Sequence, residues 1–254
     1  MDLVVCTVPR SPMRKEASHR TEMVSELLFG EVAEVLERSK DFTQLRGLHD
    51  RYEGWCQSSQ LTLIENPQTT WHKRLSPDWA TIIECNGYPM RVSLGSSLDM
   101  IHKGRASIGP YDFFYDGQAW DPSLQKFKPE NVQEQAMQFL NTPYLWGGRS
   151  VFGIDCSGFV QQVFRFFNRQ LPRDAYLQVE KGEVVGFLQE AQCCDLAFFD
   201  NEEGRITHVG MLLGPDSIIH SSGKVRIDKI DSMGIINTDT GERTHKLRII
   251  KRLA

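Results

Sequence analysis

The first half of the chain alternates short apolar runs with turn-forming residues. The runs are five to seven residues long, and Gly, Pro, Asn and Asp separate them; examples are EVAEVLE (31–37), QLTLI (60–64) and ATIIEC (80–85). Strands of this length and spacing are typical of small β-barrels and sandwiches. We therefore predict two small β modules, over residues 1–64 and 65–125, joined by the polar stretch between Pro67 and Pro77.

Helical periodicity replaces this pattern after residue 125. Pro129 opens a predicted helix, because proline is favoured in the first turn, and Asn141-Thr142-Pro143 ends it. A second helix follows the glycine-rich stretch 144–154, since apolar residues recur there on one face; they are Phe159, Val160, Val163, Phe164 and Phe167. Asp155 precedes this helix, and we expect it to cap the N-terminus.

The chain returns to strands from residue 195 onward. Apolar runs alternate with turns at Gly204, Gly214-Pro215, Gly223 and Gly241; the runs are 195–199, 208–213, 217–222, 224–230 and 247–253. Helices followed by consecutive strands indicate an α+β domain with an antiparallel meander. We predict that this domain covers residues 126–254.

Composition and charge exclude several classes of protein. The chain has 254 residues, 40% hydrophobic and 24% charged, as is typical of a soluble globular protein. Its net charge of −4 favours neither nucleic acid nor an anionic membrane as a partner. No apolar run reaches the ~18 residues of a membrane-spanning helix. The start, MDLVVCTVPRSPM, is a poor secretory signal, so we expect a cytoplasmic protein.

The six cysteines are scattered and form no CxxC pair. This spacing argues against a zinc ribbon and against a disulfide framework. In a reducing compartment most of them are expected to be small core residues. At most one or two should therefore be reactive.

Cys156 is the strongest candidate for a reactive thiol. It lies in the first turn of the second predicted helix, where the positive helix end favours a thiolate, although Asp155 opposes it. His208 begins one predicted strand and His220 ends the next, so antiparallel pairing places both imidazoles at one end of the sheet. One imidazole could then accept the proton of Cys156 while the other orients that ring.

Two other interpretations of these three residues stay open. A buried cysteine or a half-buried histidine, taken alone, is more often structural than catalytic. Cys156, His208 and His220 are also zinc-ligand types, but no tight ligand pair is present, which weighs against a zinc site. We therefore expect no metal and no other cofactor.

The motifs of the second half resemble those of a known family. PYLWGGRSVFGIDCSGFVQQVF (143–164) resembles the cysteine motif of the NlpC/P60 cell-wall peptidases, and four further motifs follow in the family's order: LPRDAYLQ (171–178), DLAFFD (195–200), THVGMLLG (207–214) and IIHSS (218–222). The resemblance implies a papain-like α+β domain with Cys156 as nucleophile, His208 as general base and His220 as the polar third member. It also implies a set of substrate-binding residues: Tyr144, Trp146, Asp155, Ser157 and Asp174.

Two positions depart from the family pattern. Cys194 stands before Asp195 where relatives usually have Gly, and Ala175 stands where they often have Ser. The first departure affects a turn, and the second puts fine detail of substrate binding in doubt. Neither affects the three proposed catalytic residues.

The first half resembles bacterial SH3-type modules. The matching stretches are SELLFGEVAEVLERSKDFTQLR (25–46) and DRYEGWCQSSQL (50–61), and a more diverged module would cover 65–125. Two such modules before an NlpC/P60 domain resemble the γ-D-glutamyl-L-diamino acid endopeptidases. That resemblance implies hydrolysis of murein tripeptides or tetrapeptides with a free N-terminal L-Ala, in cell-wall recycling, by a monomer.

The same resemblance implies a binding site for the substrate amine. A tyrosine and an acid of the first SH3-type module would form it; Tyr52 matches the tyrosine, and Glu22 is the first choice for the acid, with Glu16 and Glu26 as alternatives. Other functions stay open at this point: amidase or acyltransferase chemistry on another substrate, or a non-catalytic wall-binding protein. The sequence does not identify the diamino acid that is accepted.

Overall fold

The computed structural model describes residues 2–65 and 74–253. Pro67, at one end of the predicted joining stretch, lies outside these ranges. The chain divides into two compact units. Unit 1 comprises Met1–Gln125 and Trp146–Phe152, and unit 2 comprises Lys126–Leu145 and Gly153–Ala254. None of the helices in the described ranges has the length and apolar character needed to cross a bilayer.

Unit 1 is built from strands. They are β1 (Leu3–Cys6), β2 (Arg10–Arg14), β3 (Met23–Leu28), β4 (Val32–Arg38), β5 (Phe42–Gly47), β6 (Glu53–Gln57), β7 (Leu61–Leu63), β8 (Ala80–Cys85), β9 (Tyr88–Ser93), β10 (Arg105–Ile108), β11 (Tyr111–Phe114) and β12 (Arg149–Ser150). One antiparallel sheet has the order β3-β2-β6-β5-β4-β1-β7, and a second has the order β10-β11-β8-β9. The predicted β structure of residues 1–125 is thus confirmed.

A single hydrophobic cluster joins the two sheets of unit 1. Val5, Phe29 and Val32 belong to the first half of the unit and pack with Ile83 and Phe113 of the second sheet. Burial of such side chains contributes about 25 cal/mol per Å² of apolar surface, so this shared core stabilises both sheets together. The three predicted domain limits, at 64, 125 and 254, stay a prediction.

Unit 2 begins with helices. Its early elements are α1 (Pro129–Met137), β13 (Gly153–Ile154), α2 (Cys156–Arg165) and α3 (Ala175–Gln178). Helix α1 starts at Pro129, as predicted. Every residue of α2 is buried, because the helix packs against the strands of the same unit. This burial fixes the position of the first residue of α2, Cys156.

The remaining strands of unit 2 form a closed barrel. They are β14 (Glu183–Val185), β15 (Leu196–Asp200), β16 (Ile206–Gly214), β17 (Ser217–Ser222), β18 (Lys224–Asp231), β19 (Gly234–Ile236) and β20 (Arg243–Arg252). The order β20-β15-β16-β17-β18-β19 closes through a further β19–β20 pairing, and β14 pairs with β20 from outside. The predicted antiparallel strands are confirmed, whereas the closure was not predicted.

Gly234 makes the closing seam possible. Its φ of +139° is accessible to glycine, and a Cβ there would collide with the carbonyl oxygen of His245 on β20. Because β19 and β20 meet in this way, the last strand begins at Arg243, four residues before the predicted start at 247. His245 therefore belongs to the barrel wall.

Candidate active site

Cys156 lies at the N-terminus of α2, and the preceding residue caps that helix. Asp155 has an extended backbone, and its Oδ1 accepts a hydrogen bond from the Gly158 N–H at 2.7 Å, as the sequence predicted. The cap satisfies one of the N–H groups that a helix start leaves unpaired. The reactive candidate is therefore held in a fixed first turn.

The Cys156 thiol is protonated at rest. Burial, together with the Asp155 charge, raises the pKa of this thiol to about 12; hydrogen bonds from the backbone of Val209 and Ser157 oppose this but do not outweigh it. The helix terminus and the Asp155 charge act on the thiol in opposite directions, as the sequence predicted, and burial decides the balance, because the cost of burying a charge exceeds the stabilisation by the helix terminus. The nucleophile therefore needs a base.

Two histidines and an aspartate form a hydrogen-bonded row across three neighbouring strands. His208 on β16 and His220 on β17 are joined by a 2.8 Å contact between Nε2 and Nδ1, and His220 Nε2 lies 3.0 Å from Asp228 Oδ2 on β18. All three side chains are buried. The contact between the imidazoles confirms that strand pairing brings His208 and His220 to one end of the sheet.

Asp228 sets the direction of this row. Burial raises the pKa of Asp228, but hydrogen bonds from His220, Arg226 and the Thr238 N–H outweigh it, so the carboxyl stays ionised. Arg226 Nη2 donates at 2.9 Å and the Thr238 N–H at 2.8 Å, both to Oδ1, while Oδ2 lies 3.0 Å from His220 Nε2 and 2.8 Å from Arg226 Nε. A carboxylate only accepts hydrogen bonds, so the His220 proton must sit on Nε2.

The tautomers of both histidines follow from that proton. With Nε2 of His220 protonated, its Nδ1 is an acceptor and must receive a proton from Nε2 of His208. A neutral His208 then carries its free lone pair on Nδ1. Burial lowers the pKa of His208 well below its ordinary value, and repulsion from His220 and His245 lowers it further, so the ring is neutral at pH 7. His208 Nδ1 is thus available as a base.

His245 is a third histidine of the site that the sequence analysis missed. Its ring stacks on His208 with centroids 4.1 Å apart and planes 28° from parallel, and Phe199 packs against both rings. Burial, together with repulsion from His220, lowers the pKa of His245 to about 4, against attraction from Asp228. His245 also lines an open cavity of about 550 Å³ with Ser232, Met233, Arg243, Thr244, Lys246 and Leu247.

A buried arginine compensates the charge beside the thiol. Arg173 donates from Nη1 to Asp155 Oδ1 at 3.0 Å and from Nη2 to Oδ2 at 2.5 Å, and it also bonds Ser157 Oγ at 2.9 Å. Bidentate pairing of this kind is strong and directional. Arg173 lies in the LPRDAYLQ motif, yet its pairing with Asp155 was not predicted. Asp155 is therefore a neutralised cap rather than an isolated acid.

Two further predicted residues of unit 2 are Tyr144 and Asp174. Burial raises the pKa of the Tyr144 hydroxyl, and the charges of Cys156 and Asp155 nearby also raise it, so Tyr144 is a neutral phenol. Asp174 is only partly buried and accepts a hydrogen bond from Tyr176, whose pKa it raises. The structure thus brings Tyr144, Asp155 and Ser157 together near Cys156.

The predicted amine-binding residues and Trp146 belong to unit 1. The indole Nε1 of Trp146 donates to Glu22 Oε1 at 2.8 Å, and both side chains are exposed. Tyr52 is partly exposed at the start of β6, and its N–H donates to Asp50 Oδ1. Glu16 is exposed. The contact between Trp146 and Glu22 identifies Glu22 as an acid already held in place within its unit.

Glu26, the other alternative acid, is unsuited to binding an amine. Its side chain is fully buried, pairs with Arg10 and accepts from the Arg149 N–H at 2.9 Å. The Arg149 guanidinium is also buried and bonds Glu31, at 3.0 Å from Nη1 to Oε2. These buried charges neutralise one another and hold the segment Trp146–Phe152 against β3. Glu26 therefore has a structural role.

Among the described residues, no cluster of three or more His, Cys, Asp or Glu side chains is arranged to hold a metal ion. His208, His220 and Asp228 instead bond to one another in the hydrogen-bonded row.

Comparisons with known proteins identify the family of this chain. The sequence profile of the NlpC/P60 family matches residues 141–244, and that of the bacterial dipeptidyl-peptidase Sh3 domain matches residues 13–61. A probable endopeptidase of Haemophilus influenzae is 37% identical over 114 residues, which are 44% of this chain and 68% of that protein. The chain belongs to the NlpC/P60 family. Its NlpC/P60 domain carries the histidine row, and an SH3-like domain precedes it.

Two other comparisons cover more of the chain. The gamma-D-glutamyl-L-lysine dipeptidyl-peptidase of Bacillus subtilis is 33% identical over 178 residues, or 67% of this chain. The chain spans 60% of the length of that relative. The crystal structure of an NlpC/P60 family protein from Bacillus cereus superposes with a TM-score of 0.80 at 19% identity, covering 98% of this chain and 99% of that one. This last likeness shows that the two NlpC/P60 proteins share a fold.

Proposed function

We propose that this protein is a cysteine peptidase that cuts the γ-D-glutamyl-L-diamino acid bond of murein peptides bearing a free N-terminal L-Ala. The observation that carries the proposal is the row Asp228–His220–His208, which leaves Nδ1 of His208 as a proton acceptor in the domain of Cys156. The similarity to a relative named gamma-D-glutamyl-L-lysine dipeptidyl-peptidase supports the choice of bond.

The proposed reaction begins from a neutral thiol and a neutral imidazole. His208 Nδ1 accepts the thiol proton as Cys156 Sγ attacks the γ-glutamyl carbonyl carbon. His208 then carries a positive charge, which the ionised Asp228 stabilises through His220. The backbone N–H of Cys156 and a neighbouring donor hold the oxyanion.

The second half of the reaction returns the proton. The His208 imidazolium donates it to the leaving amine of the diamino acid, and the dipeptide stays on Cys156 as a thioester. Water, deprotonated by His208, then attacks the thioester and releases L-Ala-γ-D-Glu with the free thiol. Each proton taken by His208 is given back, so no cofactor is required.

Several finer assignments stay predictions. These are the binding of the substrate amine by Glu22 and Tyr52, the roles of Tyr144, Trp146, Asp155, Ser157 and Asp174 in substrate binding, the monomeric state, the cytoplasmic location and the role in recycling. The exposed carboxylate of Glu22, held by the Trp146 indole, supports Glu22 over the buried Glu26.

Mass spectrometry of a defined peptide tests the proposal. L-Ala-γ-D-Glu-meso-diaminopimelate and its N-acetylated form are incubated with wild type, Cys156→Ala and the matched control Cys85→Ala. We expect wild type and Cys85→Ala to release L-Ala-γ-D-Glu from the free-amine peptide only, and Cys156→Ala to release none. Equal cutting of the acetylated peptide would support the peptidase activity but refute recognition of the free N-terminal amine. If the folded wild type cuts neither peptide, the proposed cleavage is refuted, and chemistry on another acyl substrate or a wall-binding role is favoured instead.

A further inference from the structure

Two adjacent cysteines outside the catalytic row form a close thiol pair. Cys193 and Cys194 lie in the turn that leads into β15, with their Sγ atoms 3.7 Å apart. Cys193 is partly exposed, with its thiol near the carbonyl oxygen of Pro129, while Cys194 is buried. One sulfur is thus accessible from solvent and the other lies directly behind it.

The two thiols differ in acidity. A hydrogen bond from the Cys194 thiol lowers the pKa of Cys193 to about 7, against the effect of burial and the charges of Asp195 and Glu130. The same contact, together with burial, raises the pKa of Cys194. The pKa of each of the other four cysteines, all within the described ranges, is raised by burial; these are Cys6, Cys56, Cys85 and Cys156. Cys193 is therefore the thiol with the most thiolate at neutral pH.

The backbone holds Cys194 in an unfavourable conformation. Its φ is +77°, in the left-handed region that favours glycine. Its N–H donates to the carbonyl oxygen of Leu212 at 2.9 Å, and the Leu212 N–H donates to Asp195 at 2.8 Å, so the start of the β15–β16 pair fixes this turn. A non-glycine residue kept in such a conformation is a strained feature maintained by its surroundings.

We propose that Cys193 and Cys194 are a redox pair that closes reversibly into a vicinal disulfide by exchange with a low-molecular-weight disulfide. The Cys193 thiolate attacks one sulfur of that disulfide and expels a thiolate, which leaves a mixed disulfide on Cys193. Cys194 then attacks the Cys193 sulfur, expels the second small thiolate and gives up its proton to it. The protein loses two electrons and two protons, and the small disulfide becomes two thiols.

The ring that forms is easily reduced. Neighbouring Cα atoms are about 3.8 Å apart across a trans peptide, below the roughly 4.4–6.8 Å usual for disulfides. A disulfide under such strain has a high reduction potential and is labile. The pair therefore opens again when the small-thiol pool becomes reducing. This inference is independent of the proposed peptidase activity, since neither sulfur belongs to the catalytic row.

Oxidised glutathione, followed by peptide mapping in a mass spectrometer, tests the pair. Wild type should lose two hydrogen atoms from the peptide that contains residues 193 and 194, carry no stable glutathione there, and recover them with excess reduced glutathione. Cys194→Gly suits the left-handed backbone and should fold, and it should hold a stable glutathione adduct on Cys193 because no second thiol displaces it.

Two further variants make the outcome decisive. Cys85→Ser removes another partly buried thiol and should leave oxidation of the pair unchanged. Cys193→Ser should leave Cys194 unmodified under the same conditions, since the accessible attacking thiol is gone. A stable glutathione adduct on Cys193 of wild type, or a pair that stays reduced while Cys85 reacts, would overturn the proposal.

Discussion

Replacing Asp228 with asparagine tests the proton row most directly. In the wild type Oδ1 accepts from Arg226 Nη2 and the Thr238 N–H, while Oδ2 accepts from His220 and also lies 2.8 Å from Arg226 Nε. Asparagine has one oxygen, and we expect this oxygen to accept the hydrogen bonds from Arg226 and Thr238. The NH2 group then faces His220 Nε2 and forces that nitrogen to accept. Both tautomers invert, and Nδ1 of His208 becomes a donor that cannot take the thiol proton.

The expected loss of activity follows from the hydrogen bonds that the variant loses when the row returns to its productive tautomers. Returning the row to its productive tautomers places the His220 N–H against an NH2 group, which costs about 1–3 kcal/mol for an unsatisfied buried donor. Loss of the carboxylate charge removes a further 1–2 kcal/mol or so from stabilisation of the His208 imidazolium. A total of about 2–5 kcal/mol lowers kcat roughly 30- to 5,000-fold, at 1.36 kcal/mol for each factor of ten.

The assay is the rate of L-Ala-γ-D-Glu release from the free-amine tripeptide, together with nitrogen NMR of the imidazoles to read the tautomers. Asp231→Asn is the matched control, because Asp231 also lies on β18 but forms an exposed ion pair with Arg243. We expect this control to keep kcat within about twofold of wild type, as surface ion pairs contribute little. A folded Asp228→Asn protein with wild-type kcat and unchanged tautomers would refute the proton row.

Three further outcomes are expected. His245→Ala should lower kcat about 2- to 12-fold, because it removes a ring pair that contributes about 0.5–1.5 kcal/mol. His245→Phe should keep a ring stacked on His208 and a kcat near that of wild type. Steady-state kinetics distinguish the two variants. The melting temperature should fall as the pH drops from about 6.5 to 4, because unfolding lets His245 bind a proton that the folded state excludes. In calorimetry, His245→Phe should reduce this dependence of the melting temperature on pH. An unchanged dependence would contradict the assignment to His245. Arg149→Met should lower the free energy of unfolding by about 3–5 kcal/mol in urea titration because it removes the guanidinium that pairs with the buried Glu31 carboxylate. Arg149→Met/Glu31→Leu should recover part of the loss.

The sequence predicted the features that depend on neighbouring residues. The second helix, the cap at Asp155 and the turn between the strands of His208 and His220 follow from local patterns, and the structure contains all three. The apolar face alone did not indicate the extent of burial, because every residue of α2 is buried.

The missed features depend on pairing between distant segments. His245 reaches His208 only because β20 closes the barrel against β19 and β15, which periodicity within one strand does not indicate. The sequence held a weaker signal for Asp228. This acid lies two residues before Ile230 and therefore on the same inward face of the strand. The raised pKa of Cys156 had no signal in the sequence, because the extent of burial, rather than the helix terminus, determines it.

The closing strand β20 also sets an order of events for a chain leaving the ribosome. Strands β15 to β19 emerge first and leave two open edges, on β15 and β19, which residues 243–252 cover in the closed barrel. Uncovered strand edges pair readily with other chains. We therefore expect a chain that stops before residue 243 to expose both edges and to aggregate. Pairing of β20 with both edges converts this aggregation-prone intermediate into a closed barrel.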